Sequence, residues 1–120
     1  MSDPVEATFR KPAVGTLRVY ESPAALAAAV AEFLCETAVR KPGPVRIALC
    51  GGNTPRPAYR LLAEEPLRRQ VPWARVHWIF GDERFVPHAD PASNYGMARA
   101  TFFHTCRRHR RTCTRCRPGA

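Results

Sequence analysis

The feature that most constrains the fold is an apolar run that stops at two glycines and leads into a helix-forming segment. Residues 45–50 read VRIALC, and two glycines, an Asn-Thr pair and Pro55 follow them. A short β-branched and apolar run bounded by turn residues predicts a buried strand. Thr54 is a candidate N-cap and Pro55 suits the first helical position, so the sequence predicts a helix over residues 54–63.

Strand and helix patterns also alternate before this segment. Residues 16–20 (TLRVY) alternate in polarity like a short strand. Residues 21–41 predict a long helix, with Ser22 as its N-cap and Pro23 at its first position. The large apolar residues of this helix recur at helical spacing and are expected to form its buried face; they are Leu26, Val30, Phe33 and Leu34.

A further strand, a loop and a third helix are predicted after the second helix. Residues 75–80 (RVHWIF) have a strand pattern, residues 81–96 are rich in loop-forming residues, and residues 95–103 begin another helix. This alternation predicts an α/β fold, a Rossmann-like parallel sheet with flanking helices. The apolar side chains expected in the core or as loop anchors are Trp73, Trp78, Phe80, Phe85, Cys35 and Cys50.

The net charge of +9 is concentrated in the last 17 residues, which hold six arginines and no acidic residue. The preceding residues hold 13 basic and 10 acidic side chains. The charge therefore does not indicate a nucleic-acid-binding domain. We predict two parts: residues 1–103 form part of an α/β domain, and residues 104–120 form a basic tail.

Two interpretations of the tail stay open. Its cysteines, histidines and arginines could bind zinc or nucleic acid, although Cys113-x-x-Cys116 is a single pair with standard metal-site spacing. Alternatively, the tail is disordered or derives from a shifted reading frame. A G/C-rich choice of codons, read one base earlier, gives a proline-rich apolar continuation in place of the arginines.

The remaining composition indicates a cytoplasmic protein. No apolar run is long enough to span a membrane, and the N-terminus lacks the basic-then-apolar pattern of a secretory signal. Five cysteines without an export signal do not indicate a disulfide scaffold.

The first loop that could carry chemistry consists of Gly51, Gly52, Asn53 and Thr54. It follows a predicted strand, and ligands of open α/β sheets bind beyond the carboxyl ends of the strands. Glycines let a ligand approach the backbone, and free amides at a helix start favour an anion. The alternative is a glycine turn followed by an ordinary helix cap.

The second candidate loop, GDERFVP, follows the strand at residues 75–80. Asp82 and Glu83 beside Arg84 could form a polar site, with Arg84 facing a phosphate or carboxylate. The alternative is a solvated turn whose charges satisfy one another. The polar residues that could extend such a site, although loop residues of this kind are commonly solvated, are His88, Asp90, Ser93 and Asn94.

Together the two loops carry a resemblance to a known family. ALCGGNTPRPAYRLLA, followed by PWARVHWIFGDERFVPHADPASNYGMAR, is similar to the N-terminal half of 6-phosphogluconolactonases, which share their fold with glucosamine-6-phosphate deaminases. The similarity runs over residues 16–103 and preserves the order and spacing of both motifs. The motif GDERFVP...SNY resembles the corresponding segment of the lactonases more than that of the deaminases.

The resemblance implies hydrolysis of 6-phosphogluconolactone to 6-phosphogluconate, in the oxidative pentose phosphate pathway, without a cofactor. It implies that Arg84 binds the substrate phosphate or steadies its oxygens, and that Asp82 orients water or the base. The family's phosphate-side loop matches Gly51, Gly52, Asn53 and Thr54.

One part of the family pattern has no counterpart in this sequence. The general base of these lactonases is a histidine in a Gly-x-Asp-Gly-His motif of the second half, and none of His77, His88, His104 and His109 has that context. We therefore expect a truncated lactonase that is inactive and weakly folded alone. The alternatives are a sugar-phosphate-binding or amino-sugar-phosphate isomerase-like fragment, and the zinc or nucleic-acid module in the tail.

Overall fold

Two parallel strands form the centre of the part that the computed structural model describes, residues 13–103. Strand β1 is Val45–Leu49 and strand β2 is Val76–Phe80, and they pair in register from Val45 with Val76 to Leu49 with Phe80. The parallel arrangement predicted from the alternating pattern is confirmed. The predicted burial of β1 is correct for one face only, because Arg46 and Ala48 are exposed.

The long first helix, α1, is Pro23–Arg40. Its start follows the sequence rules, since Ser22 is the N-cap and its Oγ accepts a hydrogen bond from the Ala25 amide at 3.1 Å. Proline at the first helical position lacks only an amide that would have had no partner within the helix. The N-cap and the extent of the helix were both predicted correctly.

The buried face of α1 differs from the predicted one. The residues that face the core are Ala27, Ala31, Cys35 and Ala38. Leu26, Val30 and Phe33 are 40%, 37% and 54% exposed, and Leu34 is only partly buried. The reason is steric, because a stripe of small side chains lets the helix backbone approach its neighbours more closely than a stripe of large ones.

Residues 16–20 form no strand in the part of the chain that the structure describes, so that prediction is wrong there. Leu17 is 53% exposed. A strand is stabilised by hydrogen bonds to a partner strand, and within residues 13–103 the strands β1 and β2 pair only with each other. Alternation in polarity cannot reveal whether such a partner is present.

Among the described residues, three helices and a 3₁₀ turn follow β1 along the chain. Helix α2 is Arg56–Leu62, helix α3 is Leu67–Gln70, and a 3₁₀ turn at Trp73–Arg75 leads into β2. Helix α4 is Asn94–Thr101, one residue earlier than the predicted start. The N-cap of α2 is Pro55, without a side-chain hydrogen bond, so the predicted role of Thr54 as cap is wrong.

The core is an aromatic cluster against the sheet, and it holds three of the four predicted aromatic anchors. Trp78 packs edge-on against Phe102 with ring centroids 4.9 Å apart, and Trp73 and Phe80 are also buried. Phe85, the fourth predicted anchor, is fully exposed in its loop.

The two cysteines of the described residues differ in burial. Cys35 is buried as predicted, and burial, followed by the charge of Glu36, raises the pKa of its thiol. Cys50 is exposed at the end of β1, contrary to the prediction. The tail, with its open interpretations, lies outside the described residues, and among those described no helix is long and apolar enough to cross a membrane.

Candidate functional site

The two candidate loops leave the sheet at the same edge. β1 and β2 are parallel neighbours, so the segments that follow Leu49 and Phe80 begin side by side. The amide of Gly81 donates to the carbonyl of Leu49 at 3.0 Å, which carries the pairing one residue beyond β2. The prediction that each loop follows the carboxyl end of a strand is confirmed, and the structure adds that the two strands are neighbours.

Asn94, the first residue of α4, connects the two loops. Its Nδ2 donates to the main-chain carbonyl of Asp82 at 3.0 Å and to the Asp82 carboxylate at 3.2 Å. Its side chain also lies directly over Gly51, where a Cβ atom would collide with the Asn94 amide group. Asn94 is 4% exposed, so the expectation that it is solvated is wrong.

Glu83 caps the start of α4. Its carboxylate accepts hydrogen bonds from the amide of Asn94 at 2.7 Å and from the amide of Tyr95 at 2.9 Å. It also accepts from the Ser93 hydroxyl at 3.1 Å and from the Arg84 amide at 2.7 Å. Its two oxygens are therefore engaged in holding the loop and the helix together.

The hydrogen bonds of Glu83 also determine its ionisation. Burial by itself raises the pKa of the carboxyl group, but the bonds from Tyr95, Arg84, Asn94 and Ser93 outweigh that effect. The net result is a pKa below the ordinary value of 4.5. Glu83 is therefore an anion at neutral pH and acts as an acceptor only.

Asp82 and Arg84 lie on either side of Glu83 and face solvent. Arg84 Nε is 3.9 Å from Asp82 Oδ2, and the two side chains are 56% and 66% exposed. An exposed pair at this distance contributes little to stability. Both charged groups are therefore accessible to a ligand at this edge of the sheet.

The glycine loop presents backbone and polar side chains to the same edge. Gly52 has a φ of +96°, in the left-handed region that favours glycine. Asn53 and Thr54 are exposed, and within residues 13–103 their side chains form no hydrogen bonds. The loop thus offers free donors at a position fixed by its neighbours.

Tyr59 of α2 fixes the start of this loop. Its hydroxyl donates to the Cys50 carbonyl at 3.0 Å and accepts from the Cys50 amide at 3.1 Å. Burial, and next the hydrogen bond with the Cys50 side chain, raises the pKa of Tyr59 above its ordinary value of 10. The hydroxyl therefore stays protonated and can donate and accept at once.

Sequence reasoning missed Tyr59 and underrated Asn94. Tyr59 lies in an amphipathic helix pattern, which predicts that a tyrosine at this position packs in the core. Asn94 follows Ser93, which is the N-cap of α4. A serine at this position of the sequence could have predicted that a helix begins at Asn94. Among residues 13–103 no group of histidine, cysteine and carboxylate side chains could hold a metal ion.

Comparison with known proteins identifies the family. The family model described as glucosamine-6-phosphate isomerases/6-phosphogluconolactonase matches residues 21–117, so the chain belongs to that family. The 6-phosphogluconolactonase of Haemophilus influenzae is 43% identical over 60 residues, which make up 50% of this chain and 26% of that protein. The Synechocystis 6-phosphogluconolactonase is 47% identical over 62 residues, covering 52% and 24%.

Solved structures agree with the sequence relatives. The 6-phosphogluconolactonase from Trypanosoma brucei superposes with a TM-score of 0.65 at 32% identity, over 82% of this chain and 37% of that one. The incomplete α/β fold predicted from the sequence is therefore confirmed. The match spans about a quarter of the length of the two bacterial relatives.

Proposed function

We propose that this chain provides the sugar-phosphate side of a 6-phosphogluconolactonase site, which hydrolyses 6-phospho-D-glucono-1,5-lactone to 6-phosphogluconate. The observation that carries the proposal is the position of Asn94, which contacts Gly51 in one loop and Asp82 in the other. A ligand at this edge of the sheet can reach both loops at once. The relatives named above support the choice of reaction.

The glycine loop and Arg84 bind the phosphate group in this proposal. Backbone amides at Gly51 and Gly52 can approach phosphate oxygens closely because glycine has no side chain. Asn53 and Thr54 add side-chain donors. Arg84 supplies a guanidinium, which pairs with phosphate through two parallel hydrogen bonds.

Asp82 orients the water or the general base. Its Oδ1 is held by Asn94 Nδ2 at 3.2 Å, and its Oδ2, 3.9 Å from Arg84 Nε, lies in a side chain that is 66% exposed. An oriented carboxylate can fix the imidazole that takes a proton from water as it attacks the lactone carbonyl. We assign that base to the histidine of the family's Gly-x-Asp-Gly-His pattern, and expect this chain by itself to bind sugar phosphate without turnover. No step in this scheme needs a cofactor.

The test is direct binding of 6-phosphogluconate to the full chain, measured by isothermal titration calorimetry. Removing the Arg84 charge in R84Q removes charge-assisted hydrogen bonds and should weaken binding by about tenfold or more. R69Q is the matched control, because Arg69 is an exposed arginine of α3 whose side chain pairs with Glu65. Equal binding by R84Q and the unmodified chain would contradict the proposal.

A second measurement separates the lactonase assignment from an amino-sugar-phosphate isomerase. The full chain is offered glucosamine 6-phosphate in the same titration. Preference for 6-phosphogluconate supports the lactonase assignment, and preference for glucosamine 6-phosphate contradicts it. Product analysis with both substrates then shows whether any turnover occurs.

A further inference from the structure

A cavity of about 580 Å³ is lined by α2, by residues 88–91 of the segment that follows β2 and by α4. Its lining includes none of Gly51, Gly52, Asp82 or Arg84. The volume falls within the range of roughly 300–1,000 Å³ that small-molecule sites occupy. The charged side chains that line it are Arg56, Arg60, Asp90 and Arg99, and the His88 ring lies beside them. We propose that this cavity is a second anion site, which binds a phosphate dianion, free or as a phosphomonoester.

The packing of α2 and α4 brings the three arginines together. The core face of α2 is formed by Ala58, Tyr59 and Leu62. Arg56 and Arg60, one turn apart on the same helix, line the cavity. Arg99 reaches the same cavity from α4, whose neighbouring residue Ala98 is fully buried. Like charges at this helical spacing, as in Arg56 and Arg60, repel one another, and an anion between them would offset that repulsion.

The cavity has an excess of positive charge. The ion pairs of the described residues involve Arg68, Arg69 and Arg84, and no carboxylate pairs with the three cavity arginines. Asp90 is the one carboxylate in the lining, and its Oδ1 already accepts a hydrogen bond from the Ala92 amide at 2.8 Å. Three guanidinium groups against one carboxylate leave two positive charges, which a dianion balances.

Arg56 carries an unused donor. Its Nε is buried and has no hydrogen-bond partner among the described residues. A buried donor without an acceptor costs free energy, and native structures usually supply one. A phosphate oxygen in the cavity becomes that acceptor after a rotation of the guanidinium group.

The chemistry of the lining favours oxyanions such as phosphate over halides. Guanidinium groups bind tetrahedral and planar oxyanions through paired hydrogen bonds, which a halide cannot form. Ala89 and Pro91, on the rim, leave an uncharged wall against which the carbon skeleton of a phosphomonoester can lie. The site shares no residue with the proposed sugar-phosphate site, so either can fail without the other.

The experiment titrates inorganic phosphate into the full chain and follows the arginine Nε–Hε signals by nuclear magnetic resonance. We expect a saturable shift of the Arg56 signal in the unmodified chain. The double variant R60Q/R99Q changes two exposed side chains and should weaken the binding reported by Arg56 by about ten- to hundredfold. Chloride at equal ionic strength should not reproduce the shift.

Two controls keep the result specific to the cavity. R69Q removes an arginine outside the cavity, and R84Q removes the one that we assign to the sugar-phosphate site; both should leave the Arg56 titration unchanged. An Arg56 signal that does not respond to phosphate would overturn the proposal. So would equal affinity in R60Q/R99Q, whose amide spectrum also shows whether that variant keeps the fold.

Discussion

The side-chain amide of Asn94 donates to both the main-chain carbonyl and the carboxylate of Asp82, at 3.0 and 3.2 Å. These two bonds join the start of α4 to the loop that follows β2. The same side chain fills the space above Gly51, in the loop that follows β1. One buried side chain thus fixes the relative position of two loops that are far apart in sequence.

Replacing Asn94 by alanine should loosen this connection. N94A removes the donor to Asp82 and empties the buried space over Gly51, so we expect a loss of about 1–3 kcal/mol in the free energy of unfolding. Urea unfolding followed by circular dichroism measures the change. The matched control is N53A, the same substitution at an exposed loop position, which should leave stability unchanged. Equal stability of N94A and the unmodified chain would show that the Asn94 bonds are replaced by water.

Adding a methyl group at Gly51 tests the same contact from the other side. The Cβ of G51A would collide with the Asn94 side chain, and overpacking of this kind costs about 1–3 kcal/mol. G81A is the control, because a Cβ at Gly81 meets the Leu49 carbonyl at an ordinary 3.5 Å. We expect a lower urea midpoint for G51A than for G81A. The reverse order would mean that Asn94 can turn away without cost.

Local rules predicted the parts of this fold that depend on local chemistry. The Ser22 cap, the proline at the start of α1 and the alternation of strands and helices each follow from a few adjacent residues. The position of the two loops followed from the strand direction alone. The buried face of α1 could not be predicted in this way, because either Ala31 or Phe33 could face the core and only the neighbouring elements decide which one does.

The connections within the site were beyond the reach of the sequence for a related reason. Asn94 and Asp82 lie 12 residues apart, and Tyr59 and Cys50 lie nine apart, with a loop between the partners in each pair. Residue spacing predicts contacts within a helix or along a strand, but not across a loop of undetermined path. The separate roles of Asp82, Glu83 and Arg84 likewise became distinguishable only once the start of α4 was in place.

Arg75 joins the start of β2 to the end of α1. Its guanidinium donates to the carbonyls of Lys41 and Gly43 at 2.7 Å each, and to the Ala38 carbonyl at 3.1 Å. R75A removes all three bonds, and we expect about 1.5–3 kcal/mol less stability, the range for hydrogen bonds to charged groups. R75K keeps the charge but not the planar fork, so it should recover only part of the loss.

Urea unfolding of these variants is compared with that of R46A, which removes an exposed arginine from β1. If R46A and R75A lose equal stability, the three carbonyl contacts contribute nothing specific. If R75K is as stable as the unmodified chain, the positive charge near the end of α1 accounts for the whole effect, as the helix dipole alone would predict.

Glu83 should make the stability of this chain depend on pH in the acid range. Its pKa in the folded protein is lower than the ordinary value of 4.5, so the folded state favours the ionised form. The resulting stabilisation is fully present above the unfolded pKa and is lost as pH falls through the folded pKa. In E83Q the bonds to the amides of Tyr95, Arg84 and Asn94 weaken at every pH.

We therefore expect E83Q to be less stable at pH 7, and the difference in stability from the unmodified chain to shrink below about pH 4.5. Urea unfolding at a series of pH values measures this difference, with E64Q, an exposed glutamate outside the site, as control. A difference that stays constant down to pH 3 would mean that Glu83 stabilises α4 through its shape and not through its charge.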